Sequence, residues 1–264
     1  MRRHLLAIKG GRLAAAAHPA KVVTYLISDV PGDDPSLIAS GPTLPDTTTP
    51  ADALAILERY AIEIPDCVRS HLHTDDTAPK LGSAAFVRDI SSVLARARDA
   101  LNAARAEAET AGLNVQMLGD DLEGEACELG RGHALLAMTA QNEISRPLLI
   151  LSGGETSVTV RGSGRGGRNV EYLLELFSTL AGAPGIHALA IDTDGIDGSE
   201  DNAGALFGPD DWARVQMQGL DPSTYLANND AYSFFAALDG LIVTGPTRTN
   251  VNDFRAILVP PRSA

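Results

Sequence analysis

The chain has 264 residues with a formal net charge of −13, and 44% of its residues are hydrophobic. That fraction suffices for a packed core, in one large α/β domain or in two smaller ones. The negative charge excludes nucleic acid and anionic membrane as general partners, because both require a basic surface.

The two cysteines, Cys67 and Cys127, lack the spacing of a metal site and form no disulfide framework. No apolar run approaches the length that a transmembrane helix needs. We therefore expect a protein of a reducing compartment, the cytoplasm.

Strand-like and helix-like segments alternate from the first residues onward. Residues 21–28 are rich in β-branched and aromatic side chains and predict a strand that ends in an acidic turn containing Asp29. Residues 49–60 predict a helix, and the polar, breaker-rich segment 71–82 predicts a loop. We place a domain boundary at the end of that loop, between residues 82 and 83.

The middle of the chain continues the alternation. Residues 85–90 predict a strand and residues 91–111 a long Ala-rich helix, stopped by Gly112. A short strand at 114–118 and an amphipathic helix at 121–140 follow.

The last part of the chain has apolar strands that run into loops of Gly, Asp, Ser, Thr or Asn. These strands begin at 148, 186 and 241, and the strand at 21–28 ends in the same way. Strand–helix alternation predicts a three-layer α/β/α fold with a mainly parallel sheet. Ligands in such folds bind at the carboxyl ends of the strands, where these loops lie.

Residues 148–180 combine an apolar run, two Gly-rich loops and an amphipathic helix. Bare glycine backbone, a helix N-terminus and arginine side chains favour an anion. Residues 162–167 also match G-x-G-x-x-G, the dinucleotide fingerprint. The alternation at 157–161, which predicts a strand with one wet face, and the flanking Arg165 and Arg168 favour a terminal phosphate instead. A plain Gly-rich turn is the remaining alternative.

The acidic segment 192–198 follows the apolar run 186–191. Its Asp-Thr-Asp-Gly start resembles the first motif of haloacid-dehalogenase phosphatases, but that motif normally opens its domain. It also resembles a calcium loop, whose distal Glu is missing here. Acidic side chains at a strand end suit Mg²⁺ or the acceptance of a hydroxyl proton, and a capped Asp-Gly turn is the alternative.

Two further polar segments have two interpretations each. Residues 228–230 either cap a helix or contact a ligand. Thr247 and Asn250 either contact nucleotide or sugar hydroxyls or form a polar turn. The histidines, including His133, lack partner spacing, and we interpret them as structural or exposed.

Several long motifs resemble the glycerate 2-kinase family, whose C-terminal module is called MOFRL and some of whose members were once named hydroxypyruvate reductases. The two most distinctive are LSGGETSVTVRGSGRGGRNVE at 151–171 and DTDGIDGSEDNAGAL at 192–206. The other similar segments are 7–14, 26–43, 122–126 and 226–256. The resemblance covers essentially the whole chain.

This resemblance implies ATP-dependent phosphorylation of D-glycerate to 2-phosphoglycerate, with Mg²⁺ and a cytoplasmic homodimer. It implies a catalytic role for Arg168, which neutralises charge on the γ-phosphoryl group, and for Asp194, which orients or deprotonates the hydroxyl or holds the metal. Asp192 and Asp197 are the implied metal ligands. The implied substrate- or phosphate-binding residues are Lys9, Asp29, Ser152, Gly153, Gly154, Glu155, Thr156, Arg165, Gly166, Gly167, Asn228, Asp230, Thr247 and Asn250.

The resemblance also implies a domain division. Residues 1–82 resemble the C-terminal remnant of a first, Rossmann-like domain, and residues 83–264 resemble the second domain, with the MOFRL module at about 147–258. Family members carry an upstream Ser-Gly-Gly-Gly-Ser motif and a catalytic lysine that this sequence lacks. We therefore expect uncovered apolar faces in residues 1–80 and little or no kinase activity from this polypeptide alone. The alternatives are an NAD(P)-dependent hydroxypyruvate reductase and a non-catalytic nucleotide-binding remnant.

Overall fold

The computed structural model describes residues 1–74 and 78–262, and its contacts divide the chain into two units, Met1–Ala95 and Arg96–Ala264. The first unit contains helices α1 (Arg2–Leu5), α2 (Arg12–Ala17), α3 (Pro50–Arg59) and α4 (Asp66–Leu72) and strands β1 (Val23–Ile27) and β2 (Ile90–Ala95). The predicted loop 71–82 is described only in part, because residues 75–77 lie outside these ranges.

Strands β1 and β2 of the first unit pair in parallel, with Val23 opposite Ile90. One face of β1 carries Val23, Tyr25 and Ile27, whose exposed fractions are 49%, 68% and 40%. This unit therefore has the exposed apolar face that the sequence predicts. Helix α3 begins as expected, because Thr49 and Asp52 form a capping box.

The strand and helix boundaries predicted between residues 85 and 111 are wrong. Residues Ala84–Phe86 form a short 3-10 turn, and the strand lies at Ile90–Ala95. Pairing with β1 outweighs the helical pattern of residues 91–95. The helix then begins at Ala97, where the Arg96 N–H donates to Asp99 Oδ2 at 2.9 Å. Because β2 pairs with β1, the contact division falls after residue 95, whereas the predicted boundary lies at 82.

The second unit is built on a six-stranded sheet. Its strands are β3 (Asn114–Gly119), β5 (Leu148–Gly154), β7 (His187–Asp192), β8 (Gly204–Phe207), β9 (Leu241–Ile242) and β10 (Asp253–Val259), and a separate short pair consists of β4 (Gly124–Glu125) and β6 (Thr156–Ser157). Its helices are α5 (Ala97–Thr110), α6 (Ala126–Glu143), α7 (Arg168–Leu180), α8 (Asp211–Gln218), α9 (Pro222–Ala227) and α10 (Ala231–Ala237).

The strand order of this sheet is β3-β5-β10-β7-β8-β9. Strands β3, β5, β7 and β9 share one direction, and β8 and β10 run the other way. The predicted α/β class is confirmed, and four of these six strands run in the same direction. Neighbouring strands are nevertheless antiparallel except β3 and β5, because β10 returns between β5 and β7.

Helices cover both faces of the sheet, which confirms the predicted three layers. Ile150 and Leu151 are consecutive in β5 and point to opposite faces. Leu151 packs with Leu101 of α5, whereas Ile150 belongs to the larger core formed with α6 and α7. Within residues 1–74 and 78–262, no helix is both long and apolar enough to span a membrane.

Two predicted elements of the second unit are shorter than expected. The alternating segment 157–161 extends as a strand only to Ser157, and Val160 is 76% exposed. The helix predicted to start at Asp121 starts at Ala126, because residues 124–125 pair with 156–157.

Gly130 lies where α6 and α7 approach each other closely. A Cβ at this position would lie 2.4 Å from the carbonyl oxygen of Tyr172. Gly130→Ala should therefore lower the free energy of unfolding by about 1–3 kcal/mol. Gly132→Ala on the same helix would meet nothing within 4 Å and should raise it by about 0.5–1 kcal/mol. Urea unfolding followed by circular dichroism measures both, and equal effects would contradict the close approach.

Candidate active site

Three strand ends and one helix start meet at one edge of the six-stranded sheet. Asp253, the first residue of β10, is paired with Gly154 at the end of β5 and with Asp192 at the end of β7. Helix α7 begins beside them with Arg168. The register thus brings together residues that are up to 100 positions apart in the sequence.

Arg168 is held by carboxylates on three sides. Its Nη2 donates to Asp192 Oδ2 at 2.6 Å, its Nε donates to Asp253 Oδ1 at 3.0 Å, and its Nη1 lies 3.5 Å from Glu155 Oε1. Burial disfavours the charged form, but Asp253 and Asp192 outweigh it and raise the pKa of Arg168. The guanidinium is therefore fixed in place and stays charged.

Asp253 and Arg255 form a buried ion pair that the sequence analysis did not identify. Arg255 Nη2 donates to Asp253 Oδ2 at 2.5 Å, and the two side chains are 1% and 0% exposed. Arg255 Nη1 also donates to the carbonyl oxygen of Gly153 at 3.2 Å, and its guanidinium lies over the Tyr172 ring at 5.2 Å. Two charged residues within the otherwise apolar segment 253–259 are the sequence signal that could have indicated them.

The turn at residues 152–156 is largely buried and contacts Arg255, so that only part of it is open to a ligand. Ser152 and Thr156 are buried, and Arg255 holds Gly153 and Thr156 through their oxygen atoms. Gly154 has a φ of +108°, and a Cβ there would lie 2.2 Å from the backbone nitrogen of Leu122, so that only glycine fits. Glu155 is the exposed member of the turn.

Most backbone N–H groups of the Gly-rich loop at 162–167 donate hydrogen bonds to residues 228–230. The N–H of Gly162 donates to Asn229 Oδ1 at 3.0 Å, that of Gly164 to the Asn228 carbonyl at 2.9 Å, and that of Arg165 to Asp230 Oδ1 at 3.0 Å. A Cβ on Gly164 would lie 2.4 Å from the Asp230 Cβ. Asn228 and Asp230 therefore anchor the loop, and the glycines permit that approach.

Arg165 itself projects from this loop toward other side chains. It stacks over the Tyr232 ring at 4.8 Å, and its Nη2 donates to Ser233 Oγ at 3.3 Å. Its Nη1 lies 3.5 Å from Glu200 Oε2. Its assignment to phosphate binding, like that of Gly166 and Gly167, stays a prediction.

Asp197 occupies the N-terminus of α7. Its Oδ1 accepts from the Asn169 N–H at 3.0 Å and its Oδ2 from the Val170 N–H at 2.9 Å. Burial raises the pKa of Asp197 to about 6, although both N–H groups oppose this. This carboxylate therefore caps the helix, so that the helix end is not open to an anion.

The geometry does not favour a metal at the residues predicted for it. Both oxygens of Asp197 accept backbone hydrogen bonds, and Asp192 is paired with Arg168. Burial raises the pKa of Asp192, and Arg168 only partly offsets it. Across residues 1–74 and 78–262, no group of three or more His, Cys, Asp or Glu is placed to hold a metal ion. The Mg²⁺ assignment stays a prediction.

Asp194 and Thr247 lie on two loops that contact each other. Asp194 Oδ1 accepts from the Ile196 N–H at 2.8 Å within its own turn, and its carbonyl accepts from the Thr247 N–H at 2.8 Å. The Thr247 hydroxyl donates to the Thr193 carbonyl at 2.6 Å. Asn250 Oδ1 accepts from the Asn252 N–H at 2.8 Å. The polar-turn interpretation therefore accounts for these contacts, and ligand roles for these residues stay predictions.

Lys9 and Asp29 belong to the first unit. Lys9 Nζ donates to the Ala39 carbonyl at 2.6 Å, and Asp29 is exposed directly after β1. Their assignment to substrate binding stays a prediction.

A cavity of about 280 Å³ lies beside Arg168. Its walls include Thr156, Val158, the loop glycines Gly164 and Gly166, and Glu171. Arg168 brings a guanidinium to this cavity, and Glu171 brings a carboxylate.

Comparison with known proteins agrees with this architecture. Residues 148–253 match the MOFRL family, and residues 1–73 match the "Domain of unknown function (DUF4147)". A glycerate kinase of Macaca fascicularis is 32% identical over 99% of this chain and 78% of its own length. The chain belongs to the glycerate kinase family.

Other family members confirm the fold. The crystal structure of glycerate kinase from Thermotoga maritima superposes with a TM-score of 0.86 at 36% identity, covering 98% of this chain and 62% of that one. A protein of Agrobacterium vitis named "Putative hydroxypyruvate reductase" is 53% identical over 98% of this chain. The chain spans 60% of the length of that relative.

A chain of polar contacts leads from Arg255 into the core between α6 and α7. Arg255 lies over Tyr172, and the Tyr172 hydroxyl is 2.8 Å from His133 Nδ1. Burial lowers the pKa of His133 to about 4, and the charge of Arg255 adds to this effect. His133 is therefore the structural histidine that the sequence predicts.

This lowered pKa gives a testable pH dependence. As the pH falls from about 6.5 to about 4, an unfolded histidine takes a proton that folded His133 does not, so that stability falls by about 3 kcal/mol over this window. His133→Gln should remove that part of the pH dependence, whereas His187→Gln, at an exposed position, should keep it. Urea unfolding between pH 4 and pH 7 measures the difference, and parallel curves for His133→Gln and the unsubstituted chain would contradict the burial effect.

Proposed function

We propose that this chain supplies the Arg168 site for ATP-dependent phosphorylation of D-glycerate at its 2-hydroxyl, giving 2-phosphoglycerate. The observation that carries the proposal is the fixed Arg168 guanidinium beside a cavity at the carboxyl edge of the sheet. Relatives of this chain named glycerate kinase and D-glycerate 2-kinase support the substrate.

Phosphoryl transfer depends on positioning and on neutralising charge, and it needs little covalent chemistry from the protein. Arg168 meets both needs, because two buried carboxylates fix its Nε and Nη2. Its Nη1 faces the exposed Glu155 at 3.5 Å. We assign this edge of the guanidinium to the transferred phosphoryl group, which bound ATP would supply.

Asp194 is the carboxylate that we assign to the substrate hydroxyl. Its turn follows β7 at the same sheet edge, and the Ile196 N–H holds one of its oxygens. A carboxylate in hydrogen-bond reach of a hydroxyl orients it and accepts its proton. The proposal uses Asp192 only to fix Arg168, and no step of it uses a metal ion at Asp192 or Asp197.

Hydroxypyruvate reduction is the second candidate, because relatives at 53% and 49% identity carry that name. A dinucleotide fingerprint requires its Gly-rich loop to follow a buried parallel strand. Here the loop follows residues 158–161, which form no strand, and its N–H groups donate to residues 228–230. The geometry therefore favours the kinase.

The reaction can be tested with three measurements on the purified chain. We expect ADP formation from ATP that requires D-glycerate, at a low rate in the isolated chain, and no oxidation of NADH or NADPH by hydroxypyruvate. Oxidation of either cofactor would support the reductase instead. ATP binding by calorimetry without any ADP formation would support a non-catalytic nucleotide-binding protein.

The role of Arg168 is best tested by substitution with lysine. Alanine would leave Asp192 without its cation and Asp253 with Arg255 alone, at a cost of about 3 kcal/mol, so that a loss of activity could come from a loss of stability. Arg168→Lys keeps a positive charge but loses the forked set of guanidinium N–H donors, and kcat should fall roughly 10²- to 10³-fold. Arg131→Lys, whose arginine pairs with Glu175, is the control. Near-normal turnover of Arg168→Lys would contradict the assignment.

A further inference from the structure

We propose that Glu171 forms a hydroxyl-recognition subsite in the cavity beside Arg168, for a small molecule that carries both hydroxyl groups and an anionic group. The inference rests on the proposed function, because the two ligands of that reaction have this chemistry. D-glycerate carries a carboxylate and two hydroxyls, and ATP carries phosphates and a ribose.

Arg168 and Glu171 place opposite charges along one wall of the cavity. Both residues line it, and they lie three positions apart in the first turn of α7. Side chains at this helical spacing are neighbours, about 5–6 Å apart at their Cβ atoms. A ligand in the cavity therefore meets a guanidinium at one end and a carboxylate at the other.

Glu171 is a buried carboxylate whose hydrogen bonds leave one oxygen available. Asn229 Nδ2 donates to its Oε1 at 3.1 Å, and Cys127 Sγ lies 3.6 Å from the same Oε1. The residue is 4% exposed. Both contacts end on Oε1, so that Oε2 keeps its capacity to accept, and Glu171 lines the cavity.

Burial without a cation makes this carboxylate unusual for a structural role. Burial raises the pKa of Glu171, and the hydrogen bonds from Asn229 and Cys127 oppose it only in part. One turn later on α7, Glu175 lies 2.8 Å from Arg131 Nη2. Among the described residues, Glu171 forms no such ion pair. A ligand hydroxyl that enters the cavity would donate to Oε2.

The remaining walls fit a compact ligand close to the backbone. Gly164, Gly166 and Gly167 bring bare backbone to the cavity, and Val158 adds an apolar surface. The hydroxyl of Thr156, which accepts from Arg255 Nη2 at 3.4 Å, keeps its own proton to donate. The cavity thus combines one cation, one strong acceptor and a hydroxyl donor.

The test uses Glu171→Gln, which keeps the shape of the side chain and the Oε1 acceptor. The matched control is Glu175→Gln on the same helix. Calorimetry measures binding of D-glycerate, lactate and 3-hydroxypropionate, and of ADP, 2′-deoxy-ADP and 3′-deoxy-ADP. Lactate and 3-hydroxypropionate each lack one hydroxyl of glycerate, and the deoxy nucleotides each lack one hydroxyl of ribose.

We expect Glu171→Gln to weaken one of the two full ligands about 10- to 100-fold, since hydrogen bonds to a charged group are strong. The analogue that lacks the recognised hydroxyl should bind Glu171→Gln and the unsubstituted chain with affinities that agree within about 2-fold. All six ligands should bind Glu175→Gln as they bind the unsubstituted chain, again within about 2-fold. The set that responds identifies the source, either the hydroxy acid or the ribose.

Equal weakening of a full ligand and all its analogues would overturn the subsite, and so would no weakening at all. Failure of the unsubstituted chain to bind any of the six ligands at millimolar concentration would also overturn it. These readouts are independent of turnover. ADP formation without hydroxyl discrimination would refute the subsite and leave the kinase proposal standing. Hydroxyl discrimination without ADP formation would refute the kinase proposal and leave the subsite standing.

Discussion

The site depends on one buried carboxylate, Asp253, which lies between the guanidinium groups of Arg168 and Arg255. A buried charge is tolerated only when it is paired and hydrogen-bonded. Asp253 meets this requirement with two arginines and with Asn169 Nδ2 at 2.8 Å. Arg168 and Asn169 join the start of β10 to the first turn of α7, and Arg255 joins it to Gly153 and Thr156. The same two arginines therefore compensate the charge of Asp253 and set the shape of the site. Loss of either arginine would disturb the charge balance and the shape together.

The polar loops at this edge of the sheet could be predicted from the sequence, whereas the carboxylate at their centre could not. Asp192 could be predicted because it ends an apolar strand, and Arg168 because it follows a Gly-rich loop at the start of a helix. The insertion of β10 could not be predicted, since its pairing with β5 joins positions about 100 residues apart and leaves no local pattern. Asp253 and Arg255 were missed for that reason. The strand Ile90–Ala95 was missed because pairing with β1 overrode a local helical pattern.

The Gly-rich loop shows why composition alone misjudges such a site. Glycines that let backbone approach a phosphate are also the residues that let backbone approach other backbone. Here Gly162 and Gly164 lie against residues 228–230, whose side chains accept the loop N–H groups. These partners are 65–68 positions away, beyond the reach of any motif. The alternatives weighed for residues 228–230, helix cap or ligand contact, did not include a loop anchor.

In the proposed site, the carboxylates around Arg168 would also decide which anions bind. Its contacts with Asp192 and Asp253 are buried and orient the guanidinium before any ligand arrives, which removes a reorganisation cost. Those contacts also offset its charge, so that little attraction for an anion remains on their side. Glu155 is half exposed, and its 3.5 Å contact with Nη1 is the weakest of the three. A phosphoryl or carboxylate group that displaces Glu155 exchanges a solvated ion pair for one within the cavity, where the interaction is stronger. In the proposed site, Glu155 would therefore limit anion binding at Arg168 to ligands that also make contacts deeper in the cavity.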